Sequence, residues 1–238
     1  MKSKRHYSAR IEDKVKVSLK QQAYQTIRTK ILNCEYAPNS YLNEEQLCKE
    51  INVSRTPVRD ALSRLEQENL IKILPKKGVV VAPLNINEIN MIYETRVLLE
   101  PYILATYGNR IDDDHFNKLK NIISESDSLI KLVTTSSSAD LTKIHELDDA
   151  FHKLIVCSSE NPYFIQCYKN MSAQNTRLRI LSGSLNKDRL EKTQIEHIEI
   201  ANEIIKRNYK KAADTLEAHL MASKDAAFNV ILSGGFEL

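Results

Sequence analysis

The sequence contains little glycine and no tryptophan. Only 5 of its 238 residues are glycine, so a mostly helical fold is expected rather than an α/β fold with glycine-rich nucleotide-binding loops. No apolar run is long enough to span a membrane. The basic N-terminus lacks the apolar core of a secretory signal, and the four cysteines show no C-x-x-C spacing. These absences favour a cytoplasmic protein with reduced thiols.

Charge is distributed unevenly along the chain. The net charge is +3, but residues 1–84 contain 16 Lys and Arg against 9 Asp and Glu, whereas the remainder contains 18 against 22. A basic N-terminal third joined to an acidic remainder is typical of a polyanion-binding module attached to a domain with another function. The asymmetry therefore favours nucleic acid as a partner of the N-terminal part.

The N-terminal part has the pattern of a winged helix-turn-helix. Residues 19–33 carry apolar side chains at helical spacing, Asn43 can cap a second helix over 44–51, and Ser54 can cap a third. Two short β-rich runs then flank the segment PKKG, where Gly78 can take a positive φ. Three helices followed by a β-hairpin, with a tight turn between the second and third helices, predict this fold.

The third predicted helix presents a polar face that suits DNA. On a helical wheel its apolar residues form one buried stripe, whereas Arg55, Thr56 and Arg59 lie on the free face. Two arginines one turn apart at the start of such a helix can pair with guanine edges in the major groove. Lys76 and Lys77 at the hairpin tip can contact the DNA backbone or the minor groove. The alternative is that the arginines merely solvate a surface helix, but the adjoining wing and the local positive charge favour DNA.

The segment VSRTPVRDALSRLE and the glycine of the wing carry a family resemblance. They closely resemble the winged helix-turn-helix of the GntR family of bacterial transcriptional regulators, over residues 19–84. The resemblance implies contacts with operator DNA, and the full set of candidates is Ser54, Arg55, Thr56, Arg59, Lys76, Lys77 and Gly78. Glu45 departs from the pattern, because the family often has arginine there. We expect that contact to be lost and the operator to differ from the usual one.

Beyond Pro83 nearly all of the sequence has helical spacing. Six helices are predicted, enough for an antiparallel bundle with its own core. Their ranges are 87–107, 112–133, 140–158, 162–182, 188–207 and 209–232. The predicted domains are a basic arm over 1–18, a DNA-binding domain over 19–84, a junction over 85–87, a helical domain over 88–232 and a tail over 233–238.

The segment LDDAFHKLI, residues 147–155, places Asp148 and His152 four residues apart at the edge of an apolar helical stripe. Taken alone, such a pair is more often a hydrogen-bonded polar edge than a pair of metal ligands. Two later helices each direct a further imidazole toward the interior, because His197 lies within an apolar arc and His219 borders another. Burying these four side chains in one bundle without a common partner is unfavourable.

We therefore predict that Asp148, His152, His197 and His219 bind one divalent transition metal per chain. Zinc, nickel, manganese and iron all accept such a set, and zinc is the metal we expect to be observed. The other three histidines are predicted to lie at the surface: His6, His115 and His145.

The segments YETRVLLEPYILA, LDDAFHKLIVCSSENPYF and IEHIEIANEIIKRNYKKAADTLEAHL carry a second resemblance. They are similar to the FCD domain, the all-helical effector-binding domain of the FadR subfamily, over residues 88–230. The resemblance implies a metal at the floor of a cavity, bound at the four positions named above, where a small carboxylate completes the coordination. It also implies that Arg96 can pair with an effector carboxylate, although a structural salt bridge with Glu100 explains this arginine equally well. Asn175 and Arg179 can line the same cavity.

These observations predict a dimeric transcription factor of the bacterial cytoplasm. The leading hypothesis is a repressor that leaves a palindromic, double-stranded operator when a small carboxylate or sugar acid binds at or near the metal. In an alternative, the metal itself is the signal. A third hypothesis is a metal-dependent enzyme with a DNA-binding module, but the sequence offers no general base beside the ligands and no paired Glu-x-x-His motifs. We therefore expect no enzymatic activity.

Overall fold

The structure, a computed structural model, describes residues 18–135, 141–185 and 187–232. His6, the predicted tail and nearly all of the predicted N-terminal arm lie outside these ranges. The described residues are mainly helical, as predicted, with a small sheet near the N-terminus. None of the described helices is long and apolar enough to cross a membrane.

Three helices and three short strands form the N-terminal part. The helices are α1 (Leu19–Leu32), α2 (Glu44–Ile51) and α3 (Arg55–Gln67), and the strands are β1 (Tyr41–Leu42), β2 (Ile71–Leu74) and β3 (Gly78–Val81). The predicted hairpin of β2 and β3 is confirmed, with Leu74 opposite Gly78. The sequence pattern did not reveal β1, which pairs with β3 and completes an antiparallel sheet of order β1-β3-β2. Two residues are too few to show the alternation by which strands are recognised.

Local sequence explains where these elements begin and turn. The Asn43 side chain accepts hydrogen bonds from the N–H groups of Glu45 and Gln46 at the start of α2. Asn52 ends α2 in the left-handed conformation at φ 57°, and Gly78 takes φ 102° at the hairpin. Ser54 is the N-cap residue of α3, but its side chain makes no capping hydrogen bond. These turns hold α3 and the hairpin on one small apolar core.

Six helices of the described residues form the C-terminal part. They are α4 (Ile86–Tyr107), α5 (Asp113–Thr135), α6 (Leu141–Cys157), α7 (Pro162–Leu185), α8 (Lys187–Ile205) and α9 (Tyr209–Leu232), with a short 3-10 turn after α4. Asn85 caps α4 by accepting a hydrogen bond from the N–H of Glu88. The helix begins at Ile86, within the predicted junction. Leu104, Phe151 and Leu216, from α4, α6 and α9, pack in the largest core of this bundle.

Helix α7 connects the two parts. Its Ala173 packs into the core of the N-terminal part. The Gln174 amide donates to the carbonyl of Asn69 at 2.5 Å, and Nη2 of the buried Arg177 donates to the carbonyl of Ala82 at 2.7 Å. One bundle helix is therefore bonded directly to the segments that enter and leave the hairpin.

Candidate metal centre and nucleic-acid interface

Three helices bring three buried histidines together: His152 on α6, His197 on α8 and His219 on α9. Their potential ligand atoms all lie within 4.8 Å of one another. The Nε2 atoms of His197 and His219 are 3.3 Å apart. Two nitrogens bound to a tetrahedral zinc ion lie roughly 3.3–3.4 Å apart, given bond lengths of about 2.0–2.1 Å. The three imidazoles therefore fit a divalent metal.

Two carboxylates orient two of the three imidazoles from outside the cluster. Oε2 of Glu100 lies 2.6 Å from Nδ1 of His152, and Oε2 of Glu196 lies 2.6 Å from Nδ1 of His219. A carboxylate accepts, so each Nδ1 carries the proton and each Nε2 presents its lone pair to the cluster. The sequence pattern did not identify Glu196 as a partner, and it identified Glu100 only as a possible partner of Arg96.

Burial keeps the histidines uncharged. It lowers the pKa of His197 to about 3. It also lowers the pKa values of His152 and His219 below the usual value for histidine. Neutral imidazole is the form that ligates a metal. Among the described residues the buried Nε2 of His152 has no hydrogen-bond partner, which leaves its lone pair available.

Asp148 lies beside the cluster and pairs with an arginine. Its Oδ1 is 3.6 Å from Nε2 of His197, and its Oδ2 is 2.6 Å from Nη1 of Arg179. Burial alone raises the pKa of Asp148, but the positive charge of Arg179 outweighs that effect and holds the pKa well below its usual range. The carboxylate is therefore ionised, and its ligation of a metal would compete with its ion pair to Arg179.

A cavity of about 60 Å³, the bundle cavity, adjoins the histidines. Its walls include Arg96, His145, Asp148, Arg179, Arg189 and Gln194. The buried Arg96 forms the ion pair with Glu100, with 2.6 Å between Nε and Oε1, and its Nη1 donates to Oδ1 of Asn175 at 3.0 Å. The predicted salt bridge of Arg96 with Glu100 is therefore present. Its pairing with an effector carboxylate stays a prediction, and Arg96 lines the cavity where such a group would bind. Asn175 contacts Arg96 and is not itself among the lining residues, which corrects its predicted position.

His145 was wrongly predicted to lie at the surface. Only 4% of it is exposed, and burial lowers its pKa to about 4. It lines the bundle cavity and also a second cavity of about 280 Å³ between α1, α6 and α7. Helices α1 and α7 therefore cover His145, although His145 does not belong to the apolar stripe of α6. His115 is only partly exposed, with Nδ1 2.6 Å from Oδ1 of Asp112.

The predicted DNA contacts are all exposed. Ser54, Arg55, Thr56 and Arg59 lie at the start of α3, and Lys76, Lys77 and Gly78 lie at the hairpin tip. Nε of Arg59 is 2.9 Å from Oε2 of Glu44 on α2. Glu45, the departure from the family pattern, pairs with Lys49 on its own helix at 3.2 Å. The α3 face therefore presents cations to solvent, with one arginine held by a neighbouring acid.

The chain is similar to bacterial regulators over most of its length. The family patterns that match are those of bacterial regulatory proteins of the gntR family, over residues 19–81, and of the FCD domain, over residues 91–222. The chain is 27% identical to an uncharacterized HTH-type transcriptional regulator, YdhC, of Bacillus subtilis, covering 83% of this chain and 86% of that protein. It is 25% identical to the HTH-type transcriptional repressor RspR of Escherichia coli, covering 84% and 85%. A GntR transcriptional regulator from Rhodococcus superposes with a TM-score of 0.75 at 16% identity, covering 88% of this chain and 97% of that one, which shows a shared fold.

Proposed function

Because this chain belongs to the GntR family of bacterial transcriptional regulators and carries an FCD domain, we propose that it is a repressor controlled by a small acid bound inside its helical domain. The family and the names of the relatives indicate a DNA-binding regulator rather than an enzyme. That the regulator represses transcription, rather than activates it, is supported by the relative RspR, which is named a repressor. Its site of action is the bacterial cytoplasm, where the operator DNA lies.

One observation carries the proposal: the three histidines and Arg96 line the same buried cavity. His152, His197 and His219 would hold a divalent metal, with Asp148 as the fourth ligand in exchange for its pair with Arg179. When bound, the metal supplies a Lewis-acid position for an effector carboxylate. Arg96 adds a charge-assisted hydrogen bond to the same group. Zinc remains the metal we expect, although the ligand set equally accepts nickel, manganese or iron.

DNA recognition is assigned to α3. Its exposed Arg55 and Arg59 would reach base edges in the major groove, and Lys76 and Lys77 would contact the backbone beside it. Arg59 must first leave Glu44, which takes little free energy because exposed ion pairs contribute only about 0–1 kcal/mol.

A second copy of the chain is the proposed protein partner. Met91, Leu98 and Tyr102 of α4 are 58%, 71% and 53% exposed, and they recur at helical spacing along one face. Large exposed apolar side chains grouped on one helix face indicate an interaction surface. A homodimer formed there would present two α3 helices to the two halves of a palindromic operator.

The proposal is tested by a thermal-shift screen of small carboxylic and sugar acids, with and without chelator. A ligand that binds the folded state raises the melting temperature. We expect a hit that loses its effect in chelator and that weakens binding to an operator selected from random duplexes. An acid that acts equally well on chelated protein would remove the metal from the effector site. DNA binding that follows free metal at constant acid would instead make the metal the signal.

A further inference from the structure

Gln194 on α8 carries a buried acceptor with no donor. The residue is only 4% exposed and lines the bundle cavity. Its Nε2 donates to the carbonyl of Ile123 at 2.9 Å, which fixes the orientation of the amide. Its Oε1 has no hydrogen-bond partner among the residues that the structure describes. Buried polar atoms in folded proteins are rarely left unpaired, so an unpaired acceptor in a cavity wall points to a ligand.

Besides Nε2 of His152, which faces the candidate metal position, two other cavity residues have nitrogen atoms without a partner among the described residues. Nε and Nη1 of Arg96 donate to Glu100 and Asn175, whereas its Nη2 has no hydrogen-bond partner within the described ranges. Nε2 of His145 also lacks one there, and a neutral imidazole nitrogen can either donate or accept. The side chains of the cavity wall therefore carry one cationic donor, one amide acceptor and one adaptable nitrogen that are buried without a partner among the described residues.

A plain carboxylate satisfies only part of this set. Its oxygens accept from Arg96, but it has no proton for the Gln194 oxygen. A hydroxyl group on the same molecule supplies that proton and also accepts from a nearby donor. We propose that the cavity selects a small hydroxy acid and that Gln194 is the residue that recognises its hydroxyl group. The inference rests on the proposed function, whose effector class it narrows.

An ammonium group is the other donor to consider. Arg96, Arg179 and Arg189 line the cavity, and their nearest carboxylates are those of Glu100, Asp148 and Glu196 respectively. Asp149, 3.9 Å from Arg179, is 27% exposed and does not line the cavity. The charges of these three pairs balance, so an ammonium bound beside a divalent metal would leave an excess of buried positive charge. A hydroxyl group donates without adding charge, which favours a hydroxy acid over an amino acid.

The size of the cavity limits the length of the acid. A volume of about 60 Å³ has room for roughly four to six water-sized groups, at about 10–15 Å³ for each. This fits a hydroxy acid of a few carbon atoms and excludes a long acyl chain in this arrangement of the side chains.

The test compares matched acids by titration calorimetry on the full-length, metal-loaded protein. Lactate, propionate and alanine share one carbon skeleton and differ in a hydroxyl group, a hydrogen and an ammonium; malate, succinate and aspartate repeat the comparison with a second carboxylate. We expect the hydroxy acid of at least one set to bind about tenfold or more tightly than its two partners. In Gln194→Leu, this preference should fall to nearly none, while the affinity for the plain acid is retained. Gln166→Leu makes the same change at an exposed position of α7 and should retain the preference.

The possible failures are distinguishable. If the wild type binds the hydroxy acid and the plain acid equally, Gln194 does not recognise a hydroxyl group, and the proposed acid-controlled repressor is unaffected. If the amino acid binds most tightly, the group recognised in the cavity is an ammonium and not a hydroxyl. If no acid of either set binds while the wider screen yields a chelator-sensitive hit, the small hydroxy acid is wrong and the proposed function survives. If the whole screen is negative, both fail. The wild-type comparison decides even if Gln194→Leu does not fold.

Discussion

Nδ1 of His152 lies 2.6 Å from one carboxylate oxygen of Glu100. The other oxygen of the same carboxylate lies 2.6 Å from Nε of Arg96. All three side chains are at most 1% exposed. One buried glutamate therefore orients a candidate metal ligand and a candidate effector contact together. A substitution of Glu100 should therefore affect the orientation of both His152 and Arg96.

Replacing Glu100 tests the buried ion pair. Glu100→Gln leaves the Arg96 guanidinium buried without a countercharge, so we expect the free energy of unfolding to fall by roughly 3–5 kcal/mol. Urea denaturation of metal-free protein measures this change. Glu199→Gln removes an exposed carboxylate from α8 and should change stability by less than about 0.5 kcal/mol. A loss for Glu100→Gln as small as that of the control would mean that Arg96 does not depend on this carboxylate.

Replacing Glu196 tests the outer carboxylate of the candidate metal centre. Glu196→Gln removes the anion that orients His219 and increases its basicity, so metal affinity should fall by roughly 10–100-fold. Competition with a chromophoric chelator gives the affinity, and Glu199→Gln again serves as the control. An affinity equal to that of the wild type would show that His219 does not ligate the metal through its Nε2.

The buried histidines predict a pH dependence in the metal-free protein. Burial lowers the pKa of His145 to about 4 and that of His197 to about 3, whereas in the unfolded chain both titrate near 6.5. Below that value the unfolded chain binds protons that the folded protein does not. Stability is therefore complete above about pH 6.5 and falls as the pH is lowered, by up to about 1.4 kcal/mol per pH unit for each group.

Glu196 contributes to the pH dependence of stability over a separate and lower pH range. Burial opposes the shift, but hydrogen bonds from His219 and Arg189 lower its pKa from 4.5 to about 2. Its contribution is lost only as the pH falls below about 4.5, so the loss between about pH 6.5 and pH 4.5 reports the histidines. Urea denaturation across that interval, in the presence of chelator, should show the slope, and His145→Gln should reduce it. Stability that stays constant through the interval would contradict the burial of neutral imidazoles.

Arg59 provides the test of base recognition. Arg59→Ala should weaken operator binding by roughly 1–3 kcal/mol and relax the preference at one base position, because a bidentate contact with guanine is lost. Fluorescence anisotropy on the operator and on single-base variants measures both effects. Lys118→Ala removes an exposed charge from α5 and should leave both unchanged. A uniform loss on all the duplexes would make Arg59 a phosphate contact instead.

Most of the helices were predictable because they are long and periodic, and two of them begin at clear N-cap residues. Asn43 and Asn85 mark helix starts by side-chain chemistry that the sequence shows directly. The bundle helices are long enough for apolar periodicity to define each of them. Strand β1 has no such signal, because its pairing with β3 is a tertiary contact between segments far apart in the chain.

The candidate site was only partly predictable. A helical wheel locates a residue relative to one apolar stripe, so it identified the inward positions of His197 and His219. It misplaced His145 because α6 is covered on a second side, where α1 and α7 meet it. Arg179 and Glu196 act through partners on other helices, Asp148 and His219. Such pairs depend on how the helices pack, which spacing within one helix does not encode.

Helix α7 connects the bundle cavity with the DNA-binding part, because its residues contact both. Arg179 pairs with Asp148 in the cavity wall. Less than one turn away, Arg177 donates to the carbonyl of Ala82 and to the side chain of Gln174. If an acid in the cavity pairs with the Arg179 guanidinium that Asp148 leaves for the metal, the resulting shift of α7 acts on the hairpin through Arg177. A physical connection of this kind carries coupling between sites only if both sites bias the position of the helix.

Arg177→Met tests that connection. The variant should still bind the acid, but the acid should change its operator affinity less than in the wild type, with about 0.5–2 kcal/mol of the coupling free energy lost. The measurement is the ratio of operator dissociation constants with and without saturating acid. Lys169→Met, at an exposed position of the same helix, should keep the wild-type ratio. Because the change also removes buried hydrogen bonds worth about 1–3 kcal/mol, the proteins must be compared at a temperature where both are folded. An unchanged ratio in folded Arg177→Met would place the coupling elsewhere, for example across the proposed dimer interface on α4.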